Sequence, residues 1–325
     1  MARKKANELD FSNIKLEIVL YGTPGVGKST TALSAGKVLL VDIEEGQSRV
    51  AAPHRKDTLE LSPGKKTGQK ALDEIKNDLS GDLSDIDTIA IDTSTKLLDL
   101  IKSSILESGN SKAKQADGTL TQNGWGLVAN KWEEFRQFLL SLDKHIIWIC
   151  HSTEVKDNDE DAKTRVRIDL QGSTKNNIFK GATLVGFMEM KGKNRTISFK
   201  PTERYYAKSS QGIEDTYILP ALTGKNSAEN NFLETLIDTY RTNLIENQSK
   251  YSEDLKLYNE AMVLVPEIQK ITNVEELQNV VEKIKLVTHA LTSREELLGH
   301  VSAKALELGA VYDKKERRYV IATTE

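Results

Sequence analysis

The residues with the clearest chemical potential form the run GTPGVGKST at positions 22–30. Its glycines, lysine and hydroxyl residue have the spacing G-x-x-x-x-G-K-[ST], which is that of a phosphate-binding loop. In such a loop the backbone N–H groups surround the phosphates, the lysine reaches the terminal phosphates, and the next hydroxyl binds Mg²⁺. We therefore expect the chain to bind a nucleoside triphosphate through Gly22, Thr23, Pro24, Gly25, Val26, Gly27, Lys28, Ser29 and Thr30.

The segments on either side of this loop predict the strand and the helix between which a phosphate-binding loop lies. Residues 15–21 (KLEIVLY) predict a short buried strand, and residues 30–36 are compatible with a helix that ends on glycine. A position between a strand and a helix distinguishes a phosphate-binding loop from a glycine-rich turn without chemical meaning.

Three further apolar segments predict strands of the same sheet, and the segments between them predict helices. The strand candidates are 38–42, 88–92 and 145–150, and the helix candidates are 68–79, 95–107 and 125–142. Strands that are apolar almost throughout are typical of a parallel sheet buried on both faces. The alternation predicts a doubly wound α/β core.

The second half of the chain has a different pattern. Residues 155–164 are acidic and polar and predict a loop. Residues 184–190, 195–200 and 204–208 predict short antiparallel strands that extend the sheet. From residue 226 the pattern is helical, with Phe232, Leu236, Tyr240 and Leu244 on one face.

We predict three parts: an ATPase-type core over 1–225, a helical connector over 226–262, and a small helical module over 263–325 that ends in a β-hairpin. In this last module, Thr272-Asn-Val-Glu275 and Thr292-Ser-Arg-Glu295 have the pattern of capping boxes that open two helices. Gly309 is a natural end for the second of these helices.

Hydrolysis needs more than a phosphate-binding loop, and the expected positions for the additional groups are strand ends. Asp92 closes an apolar strand, where a carboxylate can hold the Mg²⁺ shell; the alternative is an N-cap for the next helix. Glu44, in preference to Glu45, follows another strand and could activate the attacking water; the alternative is an ordinary acidic loop. His151 follows a fourth strand, and we expect it to sense the γ-phosphate; the alternative is a structural histidine.

Composition excludes several classes of protein. The chain has 325 residues and no apolar run long enough for a membrane-spanning helix. Its basic N-terminus is not followed by an apolar stretch, which argues against a secretory signal. Cys150 is the single cysteine, so an intramolecular disulfide is impossible and we expect a cytoplasmic protein. The net charge of −3 means that any binding to nucleic acid must come from local patches.

The ordered set of motifs resembles the RecA-type ATPase core. The segments YGTPGVGKST at 21–30, DIEEG at 42–46, IDTS at 91–94, WG at 125–126 and IWICH at 147–151 are similar to phage-encoded nucleotide-binding proteins of the AAA class. Some members of that group are single-strand annealing or recombination proteins. The resemblance covers about residues 10–220 and implies a RecA-like P-loop NTPase core with a mainly parallel sheet flanked by helices. The small α+β C-terminal module predicted from the sequence lies outside it.

The resemblance also implies roles for individual residues. Glu44 takes the place of the catalytic glutamate, Lys28 contacts the phosphates of ATP, and His151 is the polar switch residue; Ser29 and Asp92 hold Mg²⁺. Residues 103–124 and 152–173 correspond to two DNA-facing loops. A ring or filament of identical subunits is implied, with Lys200, Arg204 or Lys208 completing a neighbour's site. The family often has arginine shortly after this last lysine, whereas this chain has Lys208-Ser-Ser210.

Single-stranded DNA is the expected partner, on indirect grounds. Basic residues interleaved with aromatic ones suit a single strand, because cations neutralise phosphates and rings stack on bases. Three clusters have basic character: Lys112 with Lys114; Lys191, Lys193 and Arg195; and Lys314, Lys315, Arg317 and Arg318 beside Tyr312 and Tyr319. Each could also be an ordinary solvated surface, and the acidic run 157–161 argues against a permanent DNA contact there.

Three classes of function remain open at this point. The favoured class is an ATP-hydrolysing protein that acts on single-stranded DNA in phage recombination, annealing or replication, in the host cytoplasm. The alternatives are a helicase-like motor, and a non-hydrolysing nucleotide switch or a metabolic kinase without DNA binding. A single-strand-binding protein is the alternative partner of the C-terminal module.

Overall fold

The computed structural model describes residue 5 and residues 9–61, 68–155, 164–171, 174–221 and 229–321. The chain divides into two compact units. One unit is Ser12–Asn243, and the other combines Met1–Phe11 with Leu244–Glu325. Within the described ranges, no helix is long and apolar enough to cross a membrane.

The unit Ser12–Asn243 is built on one nine-stranded sheet. Its strands are β1 (Glu17–Gly22), β2 (Val38–Asp42), β3 (Asp57–Glu60), β4 (Thr88–Asp92), β5 (His145–Val155), β6 (Arg165–Ile168), β7 (Leu184–Lys191), β8 (Asn194–Ser198) and β9 (Thr216–Leu219). Its helices are α1 (Lys28–Ala32), α2 (Gly68–Leu79), α3 (Ser94–Glu107), α4 (Gln122–Ser141), α5 (Thr174–Gly181) and the start of α6 (Phe232–Met262). The strand order is β3-β2-β4-β5-β1-β7-β8-β9, and β6 pairs with β5.

The sheet is parallel from β3 to β7 and antiparallel from β7 to β9. Every residue of β1, β2 and β4 is buried, which explains why these strands are apolar on both faces. The α/β class with a mainly parallel sheet, predicted from the sequence, is confirmed. Because β5 lies between β1 and β4, the carboxyl ends of β1, β2, β4 and β5 share one edge of the sheet, which is where ligands bind in open α/β sheets.

The structure corrects the prediction for the strands after residue 151. β7 pairs in parallel with β1 and only its other edge is antiparallel, with β8. Residues 204–208 form two isolated bridges, Val166–Tyr205 and Val185–Lys208, rather than a strand. β5 continues to Val155, while most of the predicted loop and the acidic run 157–161 lie outside the described residues.

His145, at the start of β5, is a buried histidine that the fold keeps neutral. Its Nδ1 accepts a hydrogen bond of 3.0 Å from the backbone N–H of Leu16. Burial, followed by the positive charges of Lys15 and Arg241, lowers the pKa of His145 from 6.5 to about 4; Asp87 and Asp143 oppose the shift. Its side chain therefore takes up a proton in the unfolded chain at a higher pH than in the folded one.

This difference predicts a pH-dependent loss of stability. As pH falls from 6.5 to about 4, His145 should remove about 3 kcal/mol from the free energy of unfolding. His145→Gln keeps an oxygen that can accept the Leu16 N–H but does not titrate, so its stability should fall less over this range. Urea unfolding of both proteins at several pH values tests this; parallel curves would contradict the assignment.

The second unit has a helical core of its own. Its described elements are the rest of α6, then α7 (Val265–Lys270), α8 (Val274–Leu286), α9 (Ser293–Glu307), β10 (Ala310–Asp313) and β11 (Arg318–Ile321). Leu277, Val280 and Ile284 of α8 are buried in one cluster with Leu297 and Val301 of α9. β10 and β11 form an antiparallel hairpin.

The helix caps of this unit differ from the predicted capping boxes. Asn273, not Thr272, caps α8 and accepts the N–H of Glu276 at 2.9 Å. The carboxylate of Glu276 in turn accepts the N–H of Thr272 at 2.9 Å. At α9, Thr292 makes no side-chain cap bond. Gly309 follows α9 with φ +62°, as expected for a glycine after a helix.

Candidate nucleotide-binding site

The loop between β1 and α1 has the backbone of a phosphate cradle. Gly25 and Gly27 have φ values of +78° and +91°, which glycine adopts at little cost. The Lys28 ammonium folds back over the loop and donates to the carbonyl oxygens of Gly22 at 3.1 Å and Thr23 at 2.9 Å. Burial lowers the pKa of Lys28, against the raising effect of nearby carboxylates. The lysine is thus held at the loop by two carbonyls that a ligand can replace.

Ser29 and Asp92 form an oxygen pair beside this loop. The Ser29 hydroxyl donates to Oδ2 of Asp92 at 2.6 Å. Asp92 closes β4 and is only 2% exposed. Burial raises its pKa, and the hydrogen bond from Ser29 opposes that effect. A hydroxyl and a carboxylate are hard oxygen ligands of the kind that Mg²⁺ prefers.

A tight turn after β2 positions Glu44. Asp42, at the end of β2, accepts the backbone N–H groups of Gly46 and Gln47, each at 2.8 Å. The backbone N–H of Glu44 donates to the carbonyl of Asp92 at 3.2 Å. These bonds fix the turn against the neighbouring strand β4, so the position of Glu44 depends on two adjacent strand ends.

The Glu44 carboxylate is paired with His151. Its oxygens lie 3.2 and 3.4 Å from Nε2 of His151. His151 stands opposite Gly22, the first loop residue, in the register of β5 with β1. The other ring nitrogen, Nδ1, is buried and has no hydrogen-bond partner among the described residues. Glu45 is exposed, with φ +57°, and it does not border the cavity described next.

These elements surround one cavity of about 590 Å³, a volume within the usual range of small-molecule sites. The predicted residues that line it are Pro24, Gly25, Gly27, Lys28, Ser29, Thr30, Glu44, Asp92 and His151. Gly22, Thr23 and Val26 belong to the loop but do not line the cavity. The structure therefore brings the predicted catalytic and metal-binding side chains to one place.

The donor set fits a nucleotide with Mg²⁺. Lys28 supplies a cation, and Ser29 with Asp92 supplies oxygen ligands. Among the described residues, no group of three or more His, Cys, Asp or Glu side chains is arranged to hold a metal. The pair of Ser29 and Asp92 suits Mg²⁺, because this ion keeps several waters and is held by one or two carboxylates together with substrate phosphates.

The sequence did not predict two arginines that line the cavity, Arg49 and Arg195. Arg49 lies in the turn after β2. The sequence predicts Arg195, together with Lys191 and Lys193, as a DNA contact. In the structure the chain turns at Gly192 (φ +63°), and β8 carries Arg195 to the phosphate loop. The alternation of side chains along a strand places Arg195 on one face of the sheet. The local sequence does not indicate which other segment of the chain packs against that face.

The three candidate cations for a neighbouring subunit lie elsewhere and have partners in their own chain. Lys200 pairs with Asp215 at 2.6 Å, and Arg204 pairs with Glu189 at 3.0 Å. The Lys208 ammonium donates to the carbonyl of Ala182 at 2.6 Å. None of the three lines the cavity.

Comparisons with known proteins place the chain in a family. A search of curated proteins found no match. Among solved structures, the RadB recombinase is 17% identical with a TM-score of 0.34, and covers 58% of this chain and 82% of its own. The flagellar accessory protein FlaH from Methanocaldococcus jannaschii is 15% identical with a TM-score of 0.33, and covers 56% and 75%. The sequence profile of the AAA domain matches residues 14–210, and the chain therefore belongs to the AAA domain family.

Proposed function

We propose that this protein binds ATP with Mg²⁺ and hydrolyses it. The observation that carries the proposal is the convergence of Lys28, Ser29, Asp92 and Glu44 on one cavity at the carboxyl edge of the sheet. These side chains come from three different strand ends and supply the cation, the metal ligands and the base that phosphoryl transfer requires.

Each group has a definite task in this proposal. Lys28 binds the terminal phosphates once it leaves the two loop carbonyls. Ser29 and Asp92 would hold Mg²⁺, which when bound would neutralise charge on the phosphate oxygens. Glu44, held by the turn after β2, orients the attacking water and accepts its proton.

His151 is the group through which the site acts on the rest of the unit. It contacts Glu44 at 3.2 Å, and β5 continues directly from it into residues 152–155, which pair with β6. A change in the Glu44–His151 contact when ATP is bound or hydrolysed would therefore reach the paired strands β5 and β6. This is the route by which we propose that the γ-phosphate is sensed.

We propose that this ATPase acts on single-stranded DNA in phage recombination or annealing. The protein would work as a ring or filament of identical subunits. The terminal hairpin supports a DNA contact, because Tyr312 is 49% exposed and its ring lies 5.2 Å from that of Tyr319. Lys314, Lys315, Arg317 and Arg318 lie in and beside the same turn. Bases can stack on such rings while the cations neutralise phosphates.

Measuring ATP hydrolysis with and without single-stranded DNA tests this function. We expect the DNA to raise the rate and to be bound less tightly as salt rises. Reversing the charges of Lys314 and Lys315 should weaken DNA binding, whereas reversing Lys283 and Lys285, on α8 of the same unit, should change it less. Hydrolysis that DNA does not alter would contradict the DNA part of the proposal. ATP binding without hydrolysis would favour a nucleotide switch, and processive strand separation would favour a helicase-like motor.

A further inference from the structure

We propose that Arg195 binds the α- and β-phosphates of the nucleotide held by its own chain, so that it joins Lys28 as a phosphate-binding cation and needs no neighbouring subunit to act. The inference rests on the nucleotide-binding function proposed above. It adds a residue and a direction of approach that neither the loop motif nor the family assignment contains.

The first support is the position of the side chain. β8 is two strands away from β1, across β7, and Arg195 stands opposite Met190 of β7. From there the side chain crosses to the phosphate loop. A Cβ atom on Gly27 would lie only 2.8 Å from both Nε and Cζ of Arg195. The guanidinium therefore lies directly against the glycine that precedes Lys28.

The second support is the Nε atom of this side chain. The Nε of Arg195 is buried and has no hydrogen-bond partner among the described residues. By contrast, the guanidinium of Arg204 is paired with a carboxylate, that of Glu189. A buried donor without an acceptor is costly in a folded protein. An anion in the adjoining cavity would supply that acceptor, and a guanidinium matches the geometry of phosphate oxygens.

The third support is the part of the loop that Arg195 faces. It shares the cavity with Gly27 and Thr30, and it also borders a small recess behind α1 lined by Thr31 and Ser34. Backbone N–H groups in this part of a phosphate loop contact the α- and β-phosphates, whereas the lysine reaches the β- and γ-phosphates. Arg195 is thus placed on phosphates that ATP and ADP have in common.

This placement predicts a specific pattern of binding. Arg195→Gln should weaken the binding of fluorescent ATP and of fluorescent ADP by a similar factor of about tenfold, because the lost contact is made with both. The KM for ATP should rise while kcat changes little. Arg195→Lys should recover part of the affinity. Lys37→Gln, which removes one charge from an exposed position before β2, is the matched control and should bind both nucleotides as the wild type does.

A purely structural role for Arg195 gives a different result. In that case Arg195→Gln would have a lower thermal unfolding midpoint than the wild type in the absence of nucleotide. Adding ADP would raise the midpoint of both proteins by the same amount. Our proposal predicts the reverse: a similar midpoint without nucleotide and a smaller rise with ADP. Unchanged affinity of Arg195→Gln for both nucleotides, or a loss confined to ATP, would overturn the proposal.

Two further comparisons separate this inference from the assumptions around it. If Lys28→Ala loses nucleotide binding while Arg195→Gln keeps it, the inference alone fails; if Lys28→Ala also binds normally, the nucleotide site itself is wrong. Mixing Arg195→Gln with Lys28→Ala tests whether the arginine acts within one chain. If the mixture bound more ATP than the sum of the amounts bound by each variant alone, Arg195 would act across subunits, and the proposal would be overturned.

Discussion

Replacing Glu44 with glutamine should slow ATP hydrolysis by a factor of about 10²–10⁴ and leave ATP binding intact. The amide keeps the shape of the side chain and can still contact His151, which lies 3.2 Å from the carboxylate. It cannot accept a proton from water at neutral pH. Single-turnover hydrolysis and an ATP-binding titration on the same preparation measure the two effects separately.

Glu45→Gln is the matched control for this experiment. Glu45 is the next residue along the chain, but it is exposed and does not line the cavity. We expect its replacement to change turnover little. If Glu45→Gln were the slow variant, the catalytic assignment would be off by one residue, and if neither variant were slow, a carboxylate at this strand end would not be the base.

Replacing Lys28 with alanine should weaken ATP binding by at least about tenfold, equivalent to about 1.4 kcal/mol. The variant loses the cation that reaches the terminal phosphates, and no other lysine lines the cavity among the described residues. Isothermal titration calorimetry with ATP measures the change. Normal ATP affinity in a folded Lys28→Ala protein would end the assignment of the phosphate-binding loop.

The folding of this variant needs a control, because Lys28 is only 6% exposed and donates to two loop carbonyls. Lys28→Met keeps most of the buried stem and removes only the charged end. It should match Lys28→Ala in lost ATP affinity while retaining more of the wild-type stability. A Lys28→Met protein that binds ATP as the wild type does would show that the alanine variant fails through its structure.

The sequence predicted the parts of this site that depend on local pattern. The loop motif lies within nine consecutive residues, and Asp92 and Glu44 each follow a continuous apolar strand. Strands that are buried on both faces carry a clear signal, because nearly every position is apolar. Three short strands lack that signal. β3 has no buried residue and β9 has one, and β6 has two buried residues of four.

Arg195 shows what local pattern leaves out. It is 168 positions after Gly27, and the contact between them exists only because the sheet order places β8 two strands from β1. That order is a property of the whole sheet, not of either segment. The cap of α8 is a smaller example, because Thr272 and Asn273 are both good N-caps and only the helix geometry selects Asn273.

Release of phosphate from ATP by the purified protein, with Mg²⁺ and with the metal chelated, tests the central claim most directly. The arrangement of Lys28, Ser29, Asp92 and Glu44 predicts turnover that requires Mg²⁺, and the proposed DNA contact predicts that single-stranded DNA increases it. The same arrangement predicts that Glu44→Gln binds ATP but releases little phosphate. A wild-type protein that binds ATP with Mg²⁺ and releases no phosphate, with DNA or without it, would contradict the claim that this chain is an ATPase.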